Sequence, residues 1–595
     1  MTDGNETPRG RLRTYKGTGV SPGIAIGRAL ILEKRGGSIY RVPIREGDVQ
    51  NELRRFDQAI AHTKGEIEGL REKVSRSMGE EYASIFDSHA MILEDPSFVD
   101  EIRQRIESEL ISAEWAVTTV KDELRARFDS FEDAYLRERG EDIADVARTL
   151  IESLEGNARH DLSEIEHDVI ILADDVTPSD AVHYNRRPIV GFATESGGRT
   201  SHTSIIAKSI FLPAVIGVPR LTEVIDNDEI VIIDGWEGTI HVNPSRAMIE
   251  ECQSREKRHR EYEGRLLENR ETAATTRDGR TVTIRANIEL VPEVKDAIRF
   301  GAQGIGLYRS EFLYISKSPE LPTEEEHFQV YCELLEKMGS MTTIIRTFDL
   351  GGKKLAREVI GSEEDNPVLG LRGLRLCMRH RDMFRTQLRA LMRASLHGDL
   401  WIMFPLVSNL QEVRHVKALL KEIQRQLDAE GIEHRKDIPV GIMIEVPAAA
   451  LIADILAAEV DFFAIGTNDL IQYSLAIDRG NENVEYLYEP FHPGILRMIR
   501  DVIRAGADAN IPVSLCGEMA GDPMFTAILL GLGLEHFSMS PASIPLVKSV
   551  VTNVRYSDSR RIAEQALMRK TAQEIEEYVV EQLATKIPQG LSRLG

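Results

Sequence analysis

Apolar residues follow three rhythms along the chain. From Asp48 they recur every three, four or seven positions, at Val49, Leu53, Phe56, Ile60, Ile67, Leu70 and Val74, the period of an amphipathic helix. Helical patterning continues to about Leu154 with few glycines or prolines, which predicts a small helical bundle. On either side the rhythm is that of strands. GVSPGIAIGRALIL, from Gly19, alternates and carries glycines. DVIILADDVTPSDA, from Asp168, reads as a strand running into a turn, and EIVIIDGWEGTIHVNP, from Glu229, as a hairpin turning near Gly235 to Gly238. The helical segment is thus expected as an insertion in an α/β domain whose first strand lies near Val20. Residues up to Lys16 read as a flexible extension.

Pro244 opens a charged helix with little apolar face, expected to bridge domains in solvent. Glu251 and Arg255, Glu256 and Arg260, and Glu261 and Arg265 stand four apart, the spacing of helical ion pairs. Gly264 weakens this helix locally and is a candidate hinge. From about Thr281 short apolar runs alternate with helical stretches: VTIRANI, GIGLYRSE, TTIIRTFDLG, LWIMFPLV, VGIMIEVP, FFAIGTNDL, VSLCGE and HFSMS. Eight such runs predict an eightfold β/α barrel, with an open doubly wound sheet as the alternative.

Composition narrows the function classes. A chain of 595 residues calls for several domains, and 42% apolar content supplies real cores. The formal charge of −23, from 73 basic and 96 acidic side chains, argues against a nucleic-acid footprint and suits steering of a basic protein partner. Four scattered cysteines form no CxxC pair, as in a reducing compartment. The first residues lack the apolar core of a signal peptide and no apolar run is long enough to span a bilayer, so a cytoplasmic protein is expected.

In a β/α barrel the active site lies at the C-terminal ends of the strands. Those ends here carry Arg309 and Glu311, Arg346 and Asp349, Glu445, Asn468 and Asp469, and Cys516, with Arg372 before the fourth strand and Arg479 after the sixth. Arginine forks bind phosphate and carboxylate oxygens in pairs, and carboxylates suit Mg²⁺. A small phosphorylated anion is the ligand this set implies, faced by Cys516 as a soft acid or nucleophile. Singly, each residue has a plain reading: Arg346 could simply pair with Asp349, and Cys516 could be a buried small hydrophobe. A second candidate site is GGRTSHTS, from Gly197 to Ser204, where His202 stands behind two glycines at the start of an apolar helix. Alone it reads as a capped helix start.

Together, GGRTSHTSIIAKSIFLPAVIGV, GIGLYRSEFL, IIRTFDLGGKK, NPVLGLRGLR, IMIEVPAAA, DFFAIGTNDLIQYSLAIDRGN and LCGEMAGDP closely resemble the Enzyme I family of the bacterial phosphoenolpyruvate-dependent sugar phosphotransferase system. SPGIAIG, EEYASIFDSHAMILEDPSF and DAYLRERGEDIADV extend the likeness to nearly the whole chain from about Gly17. The resemblance implies a multidomain α/β protein: a swivelling phosphohistidine α/β domain over 17–45 and 157–243, an inserted helical phosphocarrier-docking domain over 46–156, a linker helix over 244–273 and a phosphoenolpyruvate-binding (β/α)8 barrel over 274–595, after a flexible extension over 1–16.

It also implies a reaction. The phosphoryl group of phosphoenolpyruvate passes, with Mg²⁺, to His202 and then to a histidine-containing phosphocarrier protein, as the first step of sugar uptake, in a homodimer joined through the barrels. By matching motifs, Arg309, Arg346, Arg372, Asn468 and Arg479 would bind substrate and Glu445 and Asp469 the metal. Cys516 would protonate the enolate, and Thr177, in DDVTPSD, would hydrogen-bond the His202 ring. Glu80, Glu81 and Asp87 are candidates for meeting a basic carrier face. The related dikinases and synthases share the histidine motif but need a nucleotide-binding domain for which this chain has no room. The nitrogen-related paralogue and an inactive scaffold that retains the fold are the remaining alternatives.

Overall fold

The computed structural model describes residues 12–21, 23–32, 41–78, 89–129, 134–155, 167–174, 188–195, 212–268, 270–315, 321–349, 366, 368–479, 481 and 484–584. The chain divides into two units, Met1–His259 and Arg260–Gly595.

In the first unit, strands β1 (Arg13–Lys16), β2 (Thr18–Ser21), β3 (Ile24–Ile31), β4 (Val169–Ala173), β5 (Ile189–Thr194), β6 (Ala214–Ile216), β7 (Ile230–Asp234) and β8 (Thr239–Val242) form one mixed sheet in the order β1-β8-β7-β3-β4-β5-β6-β2. Both faces are covered. Val169, Ile171 and Ala173 pack into one apolar layer, and the alternate residues Ile170 and Leu172 into another, the period-two signature of a strand buried on both sides. The β3 and β4 strands pair in parallel, with Arg28 opposite Val169 and Ile31 opposite Leu172.

The connection between them holds helices Val49–Met78, Pro96–Glu109, Ala113–Asp129 and Ala134–Glu155. These close on Phe56, Ile67, Phe98, Ile102, Val117 and Leu150, with Leu53 and Ile60 packed at the margin. The side chains of Leu70 and Val74 and the acidic trio Glu80, Glu81 and Asp87 lie outside the described residues.

Two expectations change. The segment read as a flexible extension to Lys16 ends in a strand: β1 pairs antiparallel with β8, and Arg13 donates to Glu229 at 2.6 Å. RTYK has no apolar run, but edge pairing satisfies its backbone and an ion pair holds its first side chain. The helix after Pro244, Arg246–Glu268, is not bare of apolar contacts. Its Cys252, with Met248 and Ile249, packs against Ile24 and Ile232. Its Arg255 reaches Asp234 at 3.0 Å and Glu237 at 3.5 Å, on the β7–β8 hairpin.

In the second unit all eight apolar runs form strands: β10 (Thr281–Ile288), β11 (Ile305–Arg309), β12 (Thr343–Arg346), β13 (Leu400–Phe404), β14 (Val440–Ile444), β15 (Phe462–Ile465), β16 (Val513–Leu515) and β17 (His536–Met539). Each pairs in parallel with the next, and β17 and β11 both pair with β10, closing a (β/α)8 barrel. The short β9 (Ala274–Thr275) adds to β10 antiparallel. Alternation splits the strands into two cores. Ile402, Phe404, Ile442, Ile444, Phe463 and Ile465 face the helices. Leu307, Ile344, Met403, Met443, Phe462, Ala464 and Cys516 fill the interior, so the barrel is a packed core rather than a pore. No described helix is long and apolar enough to cross a membrane.

Candidate active site

Four of the predicted residues are set by strand ends. Arg309 and Arg346 are the last residues of β11 and β12, and Glu445 and Cys516 directly follow β14 and β16. Asn468 and Asp469 lie in the first turn of the helix Thr467–Leu475 after β15, and Arg372 caps the helix Gly373–Arg379 that precedes β13. Parallel strands in register place these positions on one rim.

Arg346 and Arg372 are the buried cations of that rim. Arg346 reaches Asp349 at 2.9 Å and Glu311 at 3.1 Å. Arg372 donates to both Asp349 oxygens, at 3.0 and 3.1 Å, and to the Tyr473 hydroxyl at 3.0 Å, and it forms an ion pair with Asp469 at 3.0 Å. Burial works to lower both guanidinium pKa values, but the surrounding carboxylates outweigh it and hold both groups above the ordinary arginine value. The Nε of each is buried with no hydrogen-bond partner among the described residues. A buried unpaired donor is costly, which makes each Nε a candidate donor to an anionic ligand.

Asp349, Glu445 and Asp469 bring one oxygen each within 4.8 Å of one another. Burial pushes Asp349 up, but Arg346 and Arg372 overcome it and keep it below the ordinary carboxylate range. Glu445 goes the other way. Burial, then Asp349 and Asp469, drive it well above the usual carboxylate value, although the Leu406 amide donates to it at 2.6 Å. Burial likewise raises Glu311. A cluster of hard oxygen donors whose mutual repulsion a cation would relieve fits a divalent metal.

The remaining residues frame this core. Arg309 pairs with Glu289 and is close enough to help lower Asp349. Arg479, half-exposed, stands 3.8 Å from Asp469 and 3.8 Å from Glu518. Asn468 donates to Glu518 at 2.9 Å and accepts from its amide at 3.0 Å, tying the turn after β15 to the turn after β16. Cys516 is buried between them, its thiol donating to the Ile465 carbonyl at 3.6 Å. Burial first, then Glu445, pushes this thiol up to about 12 against the pull of Arg346 and Arg309. A thiol so placed keeps its proton at neutral pH, which favours the acid of the two roles open from sequence. The next residue must be glycine, because a Cβ at Gly517 would lie 1.8 Å from the Thr467 Oγ1.

The structure draws three further groups into the site, two of which, Asp349 and Glu311, the strand ends already carry. Asp349 joins Glu445 and Asp469, Glu311 anchors Arg346, and Tyr473 holds Arg372 while donating to the Val368 carbonyl at 2.8 Å. The aspartate and glutamate had a signal, standing at strand ends, and Tyr473 had none. His202 and Thr177 lie outside the described residues; in sequence they follow β5 and β4, which pair in parallel.

Comparison with known proteins covers the same regions. Three family models match: PEP-utilising enzyme, N-terminal, over residues 16–139; PEP-utilising enzyme, mobile domain, over 165–238; and PEP-utilising enzyme, PEP-binding domain, over 264–556. Proteins named phosphoenolpyruvate-protein phosphotransferase are similar along almost the full length. The one from Bacillus sp. (strain S) is 42% identical, covering 96% of this chain and 98% of its own. That of Geobacillus stearothermophilus is 42% identical with the same coverage, and that of Bacillus subtilis (strain 168) 40% identical over 96% of this chain and 100% of its own. A barrel rim of buried arginines and clustered carboxylates, joined to a matched mobile domain and to relatives of this extent, places the chain: it belongs to the phosphoenolpyruvate-protein phosphotransferase family.

Proposed function

We propose that this chain takes the phosphoryl group of phosphoenolpyruvate onto His202 and passes it to a histidine-containing phosphocarrier protein. The observation that carries this reading is the rim itself, where Arg346 and Arg372 keep Nε donors with no partner among the described residues, beside three converging carboxylates. Arg309, Arg346 and Arg372 clamp the anionic oxygens of phosphoenolpyruvate, with Asn468 and Arg479 closing on the substrate from β15. Glu445 and Asp469 would hold Mg²⁺, with Asp349 beside them. When bound, the ion neutralises charge on the phosphate oxygens.

The balance of the step is simple. The phosphorus–oxygen bond of phosphoenolpyruvate breaks as a phosphorus–nitrogen bond forms on the His202 ring. A neutral imidazole can attack through one nitrogen while the other keeps its proton, and Thr177 orients that ring. The enolate left behind takes the Cys516 thiol proton at its methylene carbon to become pyruvate, and the thiolate regains a proton from water. The acidic chain, at −23, favours encounter with a basic carrier. The cytoplasm and a homodimer through the barrels complete the proposal.

Calorimetric titration of phosphoenolpyruvate with Mg²⁺ tests the rim. Wild type and His202→Ala should bind alike, while Arg346→Gln and Glu445→Gln should each bind at least about tenfold more weakly. Undiminished binding by both rim variants would refute the assignment.

A further inference from the structure

At the N-terminal ends of β11 and β12, away from the rim, the barrel carries a cavity of about 620 Å³ whose lining is basic. Arg270, Lys295, Arg299 and Lys548 contribute cations, against the single carboxylate of Glu271, in a chain of net charge −23. Local charge of this sign is the reverse of the protein as a whole.

The cations are poorly matched by the protein. Lys548 is 6% exposed, and its ammonium donates to the Arg270 carbonyl at 2.6 Å. Burial lowers its pKa, with no carboxylate among the described residues acting to restore it. A buried ammonium without a counter-ion is costly. Lys295 is exposed and forms no ion pair among the described residues. Among the described residues, Arg270 and Arg299 have only long, exposed pairs, at 3.7 Å to Glu271 and 3.9 Å to Asp296.

The position of Arg270 is nonetheless fixed. Gly301 has φ +84°, and a Cβ there would lie 2.5 Å from the Arg270 carbonyl, the same oxygen that receives Lys548. Only glycine permits this approach at that backbone angle. Gln303 fixes the wall by accepting from the Ile284 amide at 2.8 Å. A pinned backbone thus presents an arginine to a roomy space that already holds an unmatched lysine.

We propose that this cavity is a binding site for a small anion bearing phosphate or carboxylate groups, separate from the rim where the phosphoryl chemistry occurs. Arg270 is the second residue after the helix Arg246–Glu268, so the anion would tie the start of the barrel to the helices that carry Lys295, Arg299 and Lys548.

The test uses full-length protein and two probes, inorganic phosphate and succinate, followed by calorimetry and by the thermal midpoint of the barrel. Lys295→Gln/Arg299→Gln alters exposed side chains and should fold normally. Wild type and Arg309→Gln should bind at least one probe, with a midpoint that rises with its concentration. The double variant should bind it at least about tenfold more weakly, yet keep wild-type pyruvate–phosphoenolpyruvate exchange when no probe is added. Binding of phosphate alone would name a phosphorylated ligand, and of succinate alone a dicarboxylate. Equal binding by wild type and the double variant, loss of binding in Arg309→Gln, or no binding of either probe would each overturn the proposal.

Discussion

Asp349 stands three residues past Arg346, yet it also takes two hydrogen bonds from Arg372 and lies beside Glu445 and Asp469. It is the group through which two buried arginines are held in one place. Asp349→Asn keeps the shape but removes the charge that balances them. A displacement of about 1 Å in such a constellation can cost roughly a hundredfold in rate. We expect pyruvate–phosphoenolpyruvate exchange to fall by about that factor in Asp349→Asn, and an unchanged exchange rate would remove Asp349 from the account. Cys516→Ala should slow the same exchange by about 10² or more, as loss of a general acid does, while the melting temperature stays near that of wild type.

Residue types were readable in advance because strand ends follow from the apolar runs, and the ends named Arg309, Arg346, Glu445 and Cys516. Which of them touch was not. Arg372 meets Tyr473 and Asp469 from a loop about a hundred positions earlier, and no periodicity reports a contact of that span. Asp349 stands in the sequence as one of the rim carboxylates, with a simple pairing to Arg346 as the plain alternative; that pairing is present at 2.9 Å. Its second role needed the fold.

Among the elements, the barrel strands were legible and β1 was not, for one reason. A strand buried on a face shows as apolar residues, whereas an edge strand such as RTYK is held by backbone pairing to β8 and by Arg13 to Glu229. Helix starts were also written locally: Thr323 with Glu326, and Asn409 with Glu412, form capping boxes.

A buried histidine, His327, and a half-buried one, His536, give the barrel a pH dependence. His327, on the helix Glu324–Met338, stacks on Tyr331 at 5.6 Å, and burial pushes its pKa down to about 4. Burial, aided by Arg285, lowers His536 of β17 to about 4 as well. Both values lie below the ordinary 6.5, so between about pH 6.5 and pH 4 the unfolded chain binds protons that the native barrel does not. Stability from these groups is complete above pH 6.5 and is lost as pH falls towards 4, at up to about 1.4 kcal/mol per pH unit for each. In denaturant titrations of the barrel transition, His327→Gln should show a shallower decline over that window. Parallel pH curves for variant and wild type would show that His327 does not contribute.

For the whole molecule, the sequence positions of the two sites define the task. If His202 is the acceptor, as proposed, the phosphoryl group passes from the rim in Arg260–Gly595 to a residue of the unit Met1–His259, which calls for approach of the two sites. The helix Arg246–Glu268 spans the division. Its first half is anchored by Cys252 and Arg255, while Gly264 in its second half has open space where a Cβ would be, with no described neighbour beyond its own helix within 4 Å. Gly264→Ala is therefore free of steric cost and should stiffen the helix by about 0.5–1 kcal/mol. If bending there serves the approach, this variant slows exchange while binding phosphoenolpyruvate as tightly as wild type. Unaltered exchange would place the hinge elsewhere.

The central claim is that His202 carries the phosphoryl group. Purified protein should be incubated with phosphoenolpyruvate labelled in its phosphate and Mg²⁺, then quenched in base, beside His202→Ala. The account predicts a protein-bound label that is stable to base, labile to acid, and absent from the variant. Equal label on His202→Ala, or none on the wild type, would contradict it.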